Sequence, residues 1–156
     1  MSTGLLFTFL FTDIEGSAER FRTFPEAMPA AMERHNALIR AAVERHGGRV
    51  FKRVGDEVCA VFDAPPSALL AAIEAQRGLR AEDWSQFSAR FAPLDVRMGL
   101  HIGRARSDGD DFEGHGVVVS ARIMSAANGG QIFCSHTTTR RLGKILPAGV
   151  SLRDLG

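Results

Sequence analysis

Residues 50–62 of the chain read VFKRVGDEVCAVF, a pattern that predicts a tight β-hairpin. Two runs rich in β-branched and aromatic residues flank a central Gly-Asp pair, and glycine in the first central position suits a two-residue turn. Because side chains alternate along a strand, Val50, Lys52 and Val54 are expected on one face, with a lysine among apolar neighbours. The carboxylate of Asp56 at the tip suits a metal ion. The hairpin alone has a simpler interpretation than a metal site. In that interpretation the Gly-Asp pair is only a favoured turn sequence, and Lys52 extends to solvent.

The composition is typical of one globular domain that acts inside the cell. The chain has 156 residues, of which 45% are hydrophobic and 24% charged, enough to bury a core. The net charge is +1 and the basic residues form no long run, so we expect no nucleic-acid partner. The apolar run at residues 5–11 is too short to cross a bilayer, which predicts no membrane segment. Two cysteines, Cys59 and Cys134, lie in strand-like segments and favour a reduced, cytoplasmic protein.

The order of the predicted elements indicates the fold. They are a strand at residues 5–12, a helix broken near Pro25 and Pro29, the hairpin, a helix after the prolines at 65–66, a strand at 94–102, a turn at 103–109, a helix at about 117–127 and a short helix at 137–145. The first six run strand, helix, strand, strand, helix, strand. This order predicts an α+β fold with a ferredoxin-like split βαβ sheet and helices on one face. The third strand is expected between the second and the first.

This topology brings two acidic residues to one edge of the sheet. Asp13 follows the end of the first strand, and Asp56 precedes the start of the third strand. In this topology the end of the first strand lies beside the start of the third. The loop at residues 14–17 (IEGS) has a glycine that permits close backbone approach and a serine able to cap the next helix. Loop amides at a helix start favour phosphate, and two carboxylates there suit divalent cations that hold a polyphosphate. Two ordinary strand-end aspartates are the alternative interpretation.

Three motifs together resemble the class III nucleotidyl cyclase catalytic domain in their order and spacing. They are residues 11–17 (FTDIEGS), residues 51–57 (FKRVGDE), and the segment that runs from DFEG at residue 111 to Arg122. The resemblance covers nearly the whole chain. It implies that residues 1–156 form a cyclase homology domain truncated at its C terminus, because the family usually has a further basic triphosphate contact just beyond.

The resemblance also implies a reaction and its cofactors. Such domains act as dimers, here a homodimer, and at the subunit interface they convert a nucleoside triphosphate, here ATP, into a 3′,5′-cyclic monophosphate and pyrophosphate. Two divalent cations, Mg²⁺ or Mn²⁺, are implied, with Asp13, Ile14 and Asp56 as the metal-binding residues. The implied substrate-binding residues of the loop are Glu15, Gly16 and Ser17.

Three further residues match the family positions that bind the nucleotide. Lys52 and Asp111 match the pair that recognises the base from the partner subunit. A donor and an acceptor there fit the adenine edge, whereas guanine reverses that demand, so ATP is favoured over GTP. Arg122 matches the arginine that stabilises charge developing on the phosphates, a role that needs a fixed cation.

Three functions are considered, and one departure from the family pattern bears on the choice between the first two. Four residues before Arg122, where the family usually has an asparagine that positions the ribose, this chain has Val118, which cannot hydrogen-bond. The first function is an adenylate cyclase. The second, which Val118 favours, is a degenerate cyclase-homology module that binds nucleotide or only dimerises. The third is a plain ferredoxin-like interaction domain, in which the matched charges are unrelated surface residues.

Overall fold

The computed structural model describes residues 4–142 and 146–155, which form a sheet covered by helices. In chain order the elements are β1 (Leu5–Ile14), α1 (Ser17–Thr23), α2 (Met28–Arg45), β2 (Arg49–Val54), β3 (Glu57–Phe62), α3 (Pro65–Ala81), a 3₁₀ helix (Trp84–Gln86), β4 (Val96–Asp108), β5 (Asp111–Glu113), α4 (His115–Ala126), β6 (Ile132–Cys134) and α5 (His136–Leu142). The α+β class is confirmed. Positions 143–145 of the last predicted helix lie outside the described residues. Within the described ranges, no helix has the length and apolar character needed to cross a membrane.

Strand β1 lies at the centre of the sheet, whose order is β2-β3-β1-β4-β5, with β6 paired in parallel to β4. As predicted, the third strand lies between the second and the first, and β1 is antiparallel to both of its neighbours. The turn predicted at residues 103–109 is wrong, because β4 continues to Asp108. There it pairs with β5, in a register that sets Asp108 opposite Asp111. Pairing with a later segment therefore overrides the turn-like local composition.

Helices α2 and α3 pack on one face of the sheet. Alternate side chains of β1 and β4, such as Leu10 and Leu100, are almost fully buried on this face. The helices contribute Ile39 and Ala72 to the same cluster, and neither side chain is exposed. This face has the helix-covered arrangement that the split βαβ pattern predicts.

The opposite face carries α4, so the expectation of helices on one face alone is incomplete. Phe9 and Phe11 of β1 pack there with Met124 of α4. The close approach depends on glycine in β4, because a Cβ on Gly99 would lie 2.4 Å from the backbone nitrogen of Met124. A Cβ on Gly103 would lie 2.8 Å from the Cα of Gly116. The two missing side chains let the helix backbone lie directly on the strand.

A cluster of phenylalanines on this second face joins the two edges of the sheet. The ring centroids of Phe51 on β2 and Phe112 on β5 are 4.9 Å apart in an edge-to-face contact, and both rings contact Phe9. Because β2 and β5 lie at opposite ends of the strand order, the β4–β5 hairpin must fold over the face of the sheet to make this contact. The aromatic cluster therefore positions the residues next to Phe51 and Phe112.

The predicted alternation in β2 is interrupted by a β-bulge. Val50 pairs with Ala60 and Lys52 pairs with Cys59, so the register shifts between Val50 and Lys52. A bulge adds one residue to the strand, and the residues that follow it change face. The expectation that Val50 and Lys52 share a face is therefore wrong. Val50 packs towards α2 and α3, whereas Lys52 lies on the face that carries the phenylalanines.

Gly99→Ala should lower the free energy of unfolding by about 1–3 kcal/mol, because the new methyl group meets helix backbone that can move only together with α4. Gly78→Ala is a matched control, because the nearest heavy atom to its new Cβ is Cδ2 of Leu38 at 3.6 Å. Alanine within α3 should be neutral or stabilise by about 0.5–1 kcal/mol. Urea denaturation measures both variants. A Gly99→Ala protein as stable as the parent would contradict the direct contact between α4 and β4.

Candidate active site

Asp56 anchors the loop that follows β1. Its Oδ2 accepts a hydrogen bond from the backbone N–H of Ile14 at 2.6 Å, and its Oδ1 accepts one from the Ser17 hydroxyl at 3.2 Å. The structure thus brings the hairpin tip to the residue that directly follows Asp13, as the topology predicts. The helix cap is different from the expectation, because Gly16, in a left-handed conformation with φ of 69°, occupies the N-cap of α1. Ser17 instead contacts Asp56.

The Asp13 carboxylate is held by Arg97, a residue that the sequence analysis did not select. The two residues are directly opposite each other in the β1–β4 ladder. Arg97 donates from Nε to Oδ1 at 2.6 Å and from a terminal nitrogen to Oδ2 at 2.5 Å, a two-point contact. The hydrogen bond to this carboxylate raises the pKa of Arg97. Burial opposes the rise, and the charges of Asp13, Glu15 and Asp56 add to it. A lone arginine at the start of an apolar strand was the available sequence signal.

The Glu15 carboxylate contacts the loop that follows α4. Its Oε2 accepts a hydrogen bond from the backbone N–H of Gly129 at 2.9 Å, and its own N–H donates to the carbonyl of Asp95 at 2.8 Å. A Cβ on Gly129 would lie 2.5 Å from that Oε2 and 2.4 Å from Cβ of Asp95, so only glycine leaves room for this contact. Glu15 therefore connects the loop after β1 to the loop after α4. No described contact directs its carboxylate towards a substrate.

A second group of predicted residues surrounds an open cavity of about 430 Å³ on the face that carries α4. Lys52, Asp111 and Arg122 line it, with an apolar floor and walls. The other lining residues are Phe11, Phe51, Val54, Glu57, Cys59, Val117, Val118 and Ala121. Burial raises the pKa of the Cys59 thiol above its ordinary range, so this sulfur stays protonated and is not a nucleophile.

Lys52 and Asp111 form an ion pair at the rim of this cavity. Lys52 Nζ lies 3.3 Å from Asp111 Oδ2, and each side chain is about half exposed, at 48% and 45%. Asp111 Oδ1 also accepts from the backbone N–H of Phe112 at 2.7 Å. That backbone hydrogen bond and, to a smaller extent, Lys52 lower the pKa of Asp111, so it is a carboxylate at neutral pH. The aromatic contact between their neighbours Phe51 and Phe112 brings these two charges together.

Val118 and Arg122 lie one turn apart on α4 and face the same cavity. Val118 is 48% exposed, so this valine is not a buried core residue. Arg122 is also exposed, and within the described part of the chain it makes no ion pair. Its guanidinium is therefore available to a ligand that enters the cavity.

The predicted site residues thus fall into two groups within one chain. Lys52, Asp111 and Arg122 share the cavity, whereas Asp13 and Asp56 are not among its lining residues. Asp56 is next to residues that line the cavity, but its carboxylate points to the loop at the end of β1. A single chain therefore does not gather both groups around one cavity.

The oxygen donors near Asp13 fit a hard divalent cation. Carboxylate oxygens of Asp13 and Asp56 and the carbonyl oxygen of Ile14 are ligands of the type that Mg²⁺ and Mn²⁺ prefer. The guanidinium on Asp13 shows that this place accommodates positive charge. Among residues 4–142 and 146–155, no group of three His, Cys, Asp or Glu side chains is placed to hold a metal ion. Water or substrate oxygens would complete the coordination.

Comparison with known proteins identifies the family of this chain. Residues 6–152 match the sequence model of the family described as the adenylate and guanylate cyclase catalytic domain. The adenylate cyclase of Podospora anserina is 34% identical over 154 residues, which cover 85% of this chain and 7% of that protein. An uncharacterized protein of Mycobacterium tuberculosis is 30% identical, over 96% of this chain and 49% of that protein. A solved structure from work on Trypanosoma brucei adenylate cyclases in their monomeric state has a TM-score of 0.81 at 27% identity, and the match covers 89% of this chain and 77% of that one.

The chain therefore belongs to the adenylate and guanylate cyclase catalytic domain family. It spans about half the length of the mycobacterial relative and less than a tenth of the fungal one.

Proposed function

We propose that this domain converts ATP into 3′,5′-cyclic AMP and pyrophosphate at sites formed between two copies of the chain. The division of the predicted residues into two groups carries the proposal. One copy would supply Asp13 and Asp56, and the other would supply the cavity with Lys52, Asp111 and Arg122. The two half-exposed valines at the cavity, Val54 and Val118, would be covered by the partner. A cytoplasmic location is part of the proposal, because ATP is made inside cells and both cysteines are free thiols.

The ion pair at the rim of the cavity supports ATP as the substrate. Lys52 has three N–H donors and uses one of them on Asp111, so it retains donors for an acceptor nitrogen of the adenine ring. Asp111 is an acceptor only and suits the exocyclic amino group of adenine. Guanine presents a donor and an acceptor in the reverse arrangement, and it would leave both charged groups without a matching partner.

The remaining residues suit the cyclisation step. The 3′ oxygen loses its proton and bonds to the α-phosphorus, while the bond from that phosphorus to the pyrophosphate oxygen breaks and pyrophosphate leaves with the electron pair. Arg122 would place a fixed positive charge beside the phosphates as negative charge develops on them. Two divalent cations would be held by Asp13, Asp56 and the carbonyl oxygen of Ile14. When bound, they would lower the pKa of the 3′ hydroxyl and neutralise charge on the phosphates.

A non-catalytic module is the second candidate, and Val118 is the observation that favours it. The valine faces the cavity one turn from Arg122, where a ribose hydroxyl would find no hydrogen-bond partner. Such a module would bind ATP or dimerise without turnover.

Purified protein with ATP and Mn²⁺ should release cyclic AMP and pyrophosphate, and GTP should react slower by on the order of tenfold or more.

Asp13→Asn and Asp56→Asn should each abolish turnover, because neutral amides do not replace carboxylates around divalent cations. Product chromatography measures the rates, and circular dichroism checks that each variant is folded. Full activity of either folded variant at saturating ATP would exclude the metal-binding assignment, and ATP binding without any product would select the module.

Asp13→Asn and Arg122→Ala proteins, each inactive alone, should regain activity when mixed. In a mixed dimer, one of the two sites receives an intact acidic pair from one copy and an intact Arg122 from the other. A mixed dimer should have about half the activity of the parent homodimer, because one of its two sites is restored, and an equimolar mixture with random pairing should therefore reach about a quarter. Heterodimer formation is followed with differently tagged copies. Heterodimers that form without any recovery of turnover would place the whole site within one chain.

Val118→Asn should raise the turnover of ATP by on the order of a hundredfold while it changes ATP affinity much less, because a positioning contact acts on the reacting geometry. Val119→Asn is a matched control on the same helix, since residue 119 is not among those lining the cavity. Turnover number and ATP affinity are measured at one Mn²⁺ concentration. If the Val118→Asn protein is as slow as the parent, the missing amide is not the limiting defect.

A further inference from the structure

The contact between Arg97 and Asp13 is positioned by the sheet itself. The two residues are directly opposed in the β1–β4 ladder, so their backbones are fixed and only their side chains can move. The side chains are mostly buried, at 15% exposed for Asp13 and 27% for Arg97. Both carboxylate oxygens of Asp13 accept from the guanidinium. A two-point contact with limited solvent access is stronger than an exposed ion pair.

Arg97 also interacts with more than one acidic group. Glu15 and Asp56 lie close enough for their charges to act on its guanidinium, in addition to Asp13. Without a cation, the carboxylates of Asp13 and Asp56 would repel each other at the end of β1. Arg20 in the neighbouring helix α1 is not available for this purpose, because its guanidinium donates to the carbonyls of Ala92 and Pro93 at 2.7 and 2.6 Å.

We propose that Arg97 is a built-in counter-cation that competes with the divalent metal for Asp13. A metal ion and a guanidinium on one carboxylate repel each other, so metal binding must weaken or displace the Arg97 contact. In the metal-free chain Arg97 thereby neutralises the charge of Asp13, and part of the free energy of metal binding is spent on releasing Arg97. This inference rests on the proposed function insofar as that function makes Asp13 a metal ligand.

Arg97→Gln should tighten Mn²⁺ binding by on the order of tenfold, because a positive charge next to the metal is removed. Electron paramagnetic resonance of free Mn²⁺ measures the affinity without any turnover. Arg106→Gln is the matched control, since it removes one arginine from the same strand, where Arg106 lies 3.0 Å from Glu113 and away from Asp13. Arg106→Gln should change the affinity less than twofold. An Arg97→Gln protein that binds Mn²⁺ no more tightly than the control would overturn the proposal.

A measurement on the unaltered protein keeps the test decisive if Arg97→Gln does not fold. Protein labelled with ¹⁵N-arginine should show a shifted Arg97 Nε–H resonance, assigned from Arg97→Lys, that moves or broadens when Mg²⁺ saturates the site. An unchanged resonance at saturation would show that the contact persists and would contradict competition. Asp13→Asn and Asp56→Asn distinguish a failure of the metal assignment from a failure of the counter-cation role of Arg97. If both bind Mn²⁺ as the parent does, the metal assignment itself fails, whereas weakened binding in both with no effect of Arg97→Gln rejects the counter-cation alone.

Discussion

The edge-to-face contact between Phe51 and Phe112 is the interaction on which the arrangement of the cavity depends. It joins strands from opposite ends of the sheet order, with ring centroids 4.9 Å apart, and it is surrounded by further phenylalanines of β1. Each ring is next in sequence to a charged residue of the cavity rim, Lys52 or Asp111. This aromatic packing, together with Arg49, which donates to the carbonyl of Asp110 and lies over the Phe112 ring, holds the β4–β5 hairpin over the sheet and brings the two charges together.

A different force organises the other half of the candidate site. At the end of β1 the backbone is held by hydrogen bonds to carboxylates, from Ile14 to Asp56 and from Gly129 to Glu15, and the remaining carboxylate is paired with Arg97. Apart from the buried Ile14, this loop is held by polar contacts and not by core packing. Packing of apolar side chains therefore shapes the cavity, whereas hydrogen bonds and an ion pair hold the acidic loop.

Much of this could be predicted from the sequence, and the exceptions have physical causes. The convergence of Asp56 on the end of β1 follows from the order of elements, because the split βαβ topology allows few strand arrangements. The face of Lys52 was predicted wrongly, since a bulge breaks the period of two without a clear local signature. The contact between Arg97 and Asp13 could not be predicted, because it requires knowledge of the β1–β4 register, which depends on packing along the whole sheet. The role of α4 on the second face was indicated only by Gly99 and Gly103 in an otherwise apolar strand.

In the proposed dimer, the acidic loop of one chain and the cavity of another form one site. A crystal structure of the protein with Mn²⁺ and a non-cyclising ATP analogue tests it most directly. We expect a nucleotide between two copies, with its base at Lys52 and Asp111 of one copy and metal ions on Asp13 and Asp56 of the other. A nucleotide bound wholly within one copy, or metal ions away from both aspartates, would contradict it.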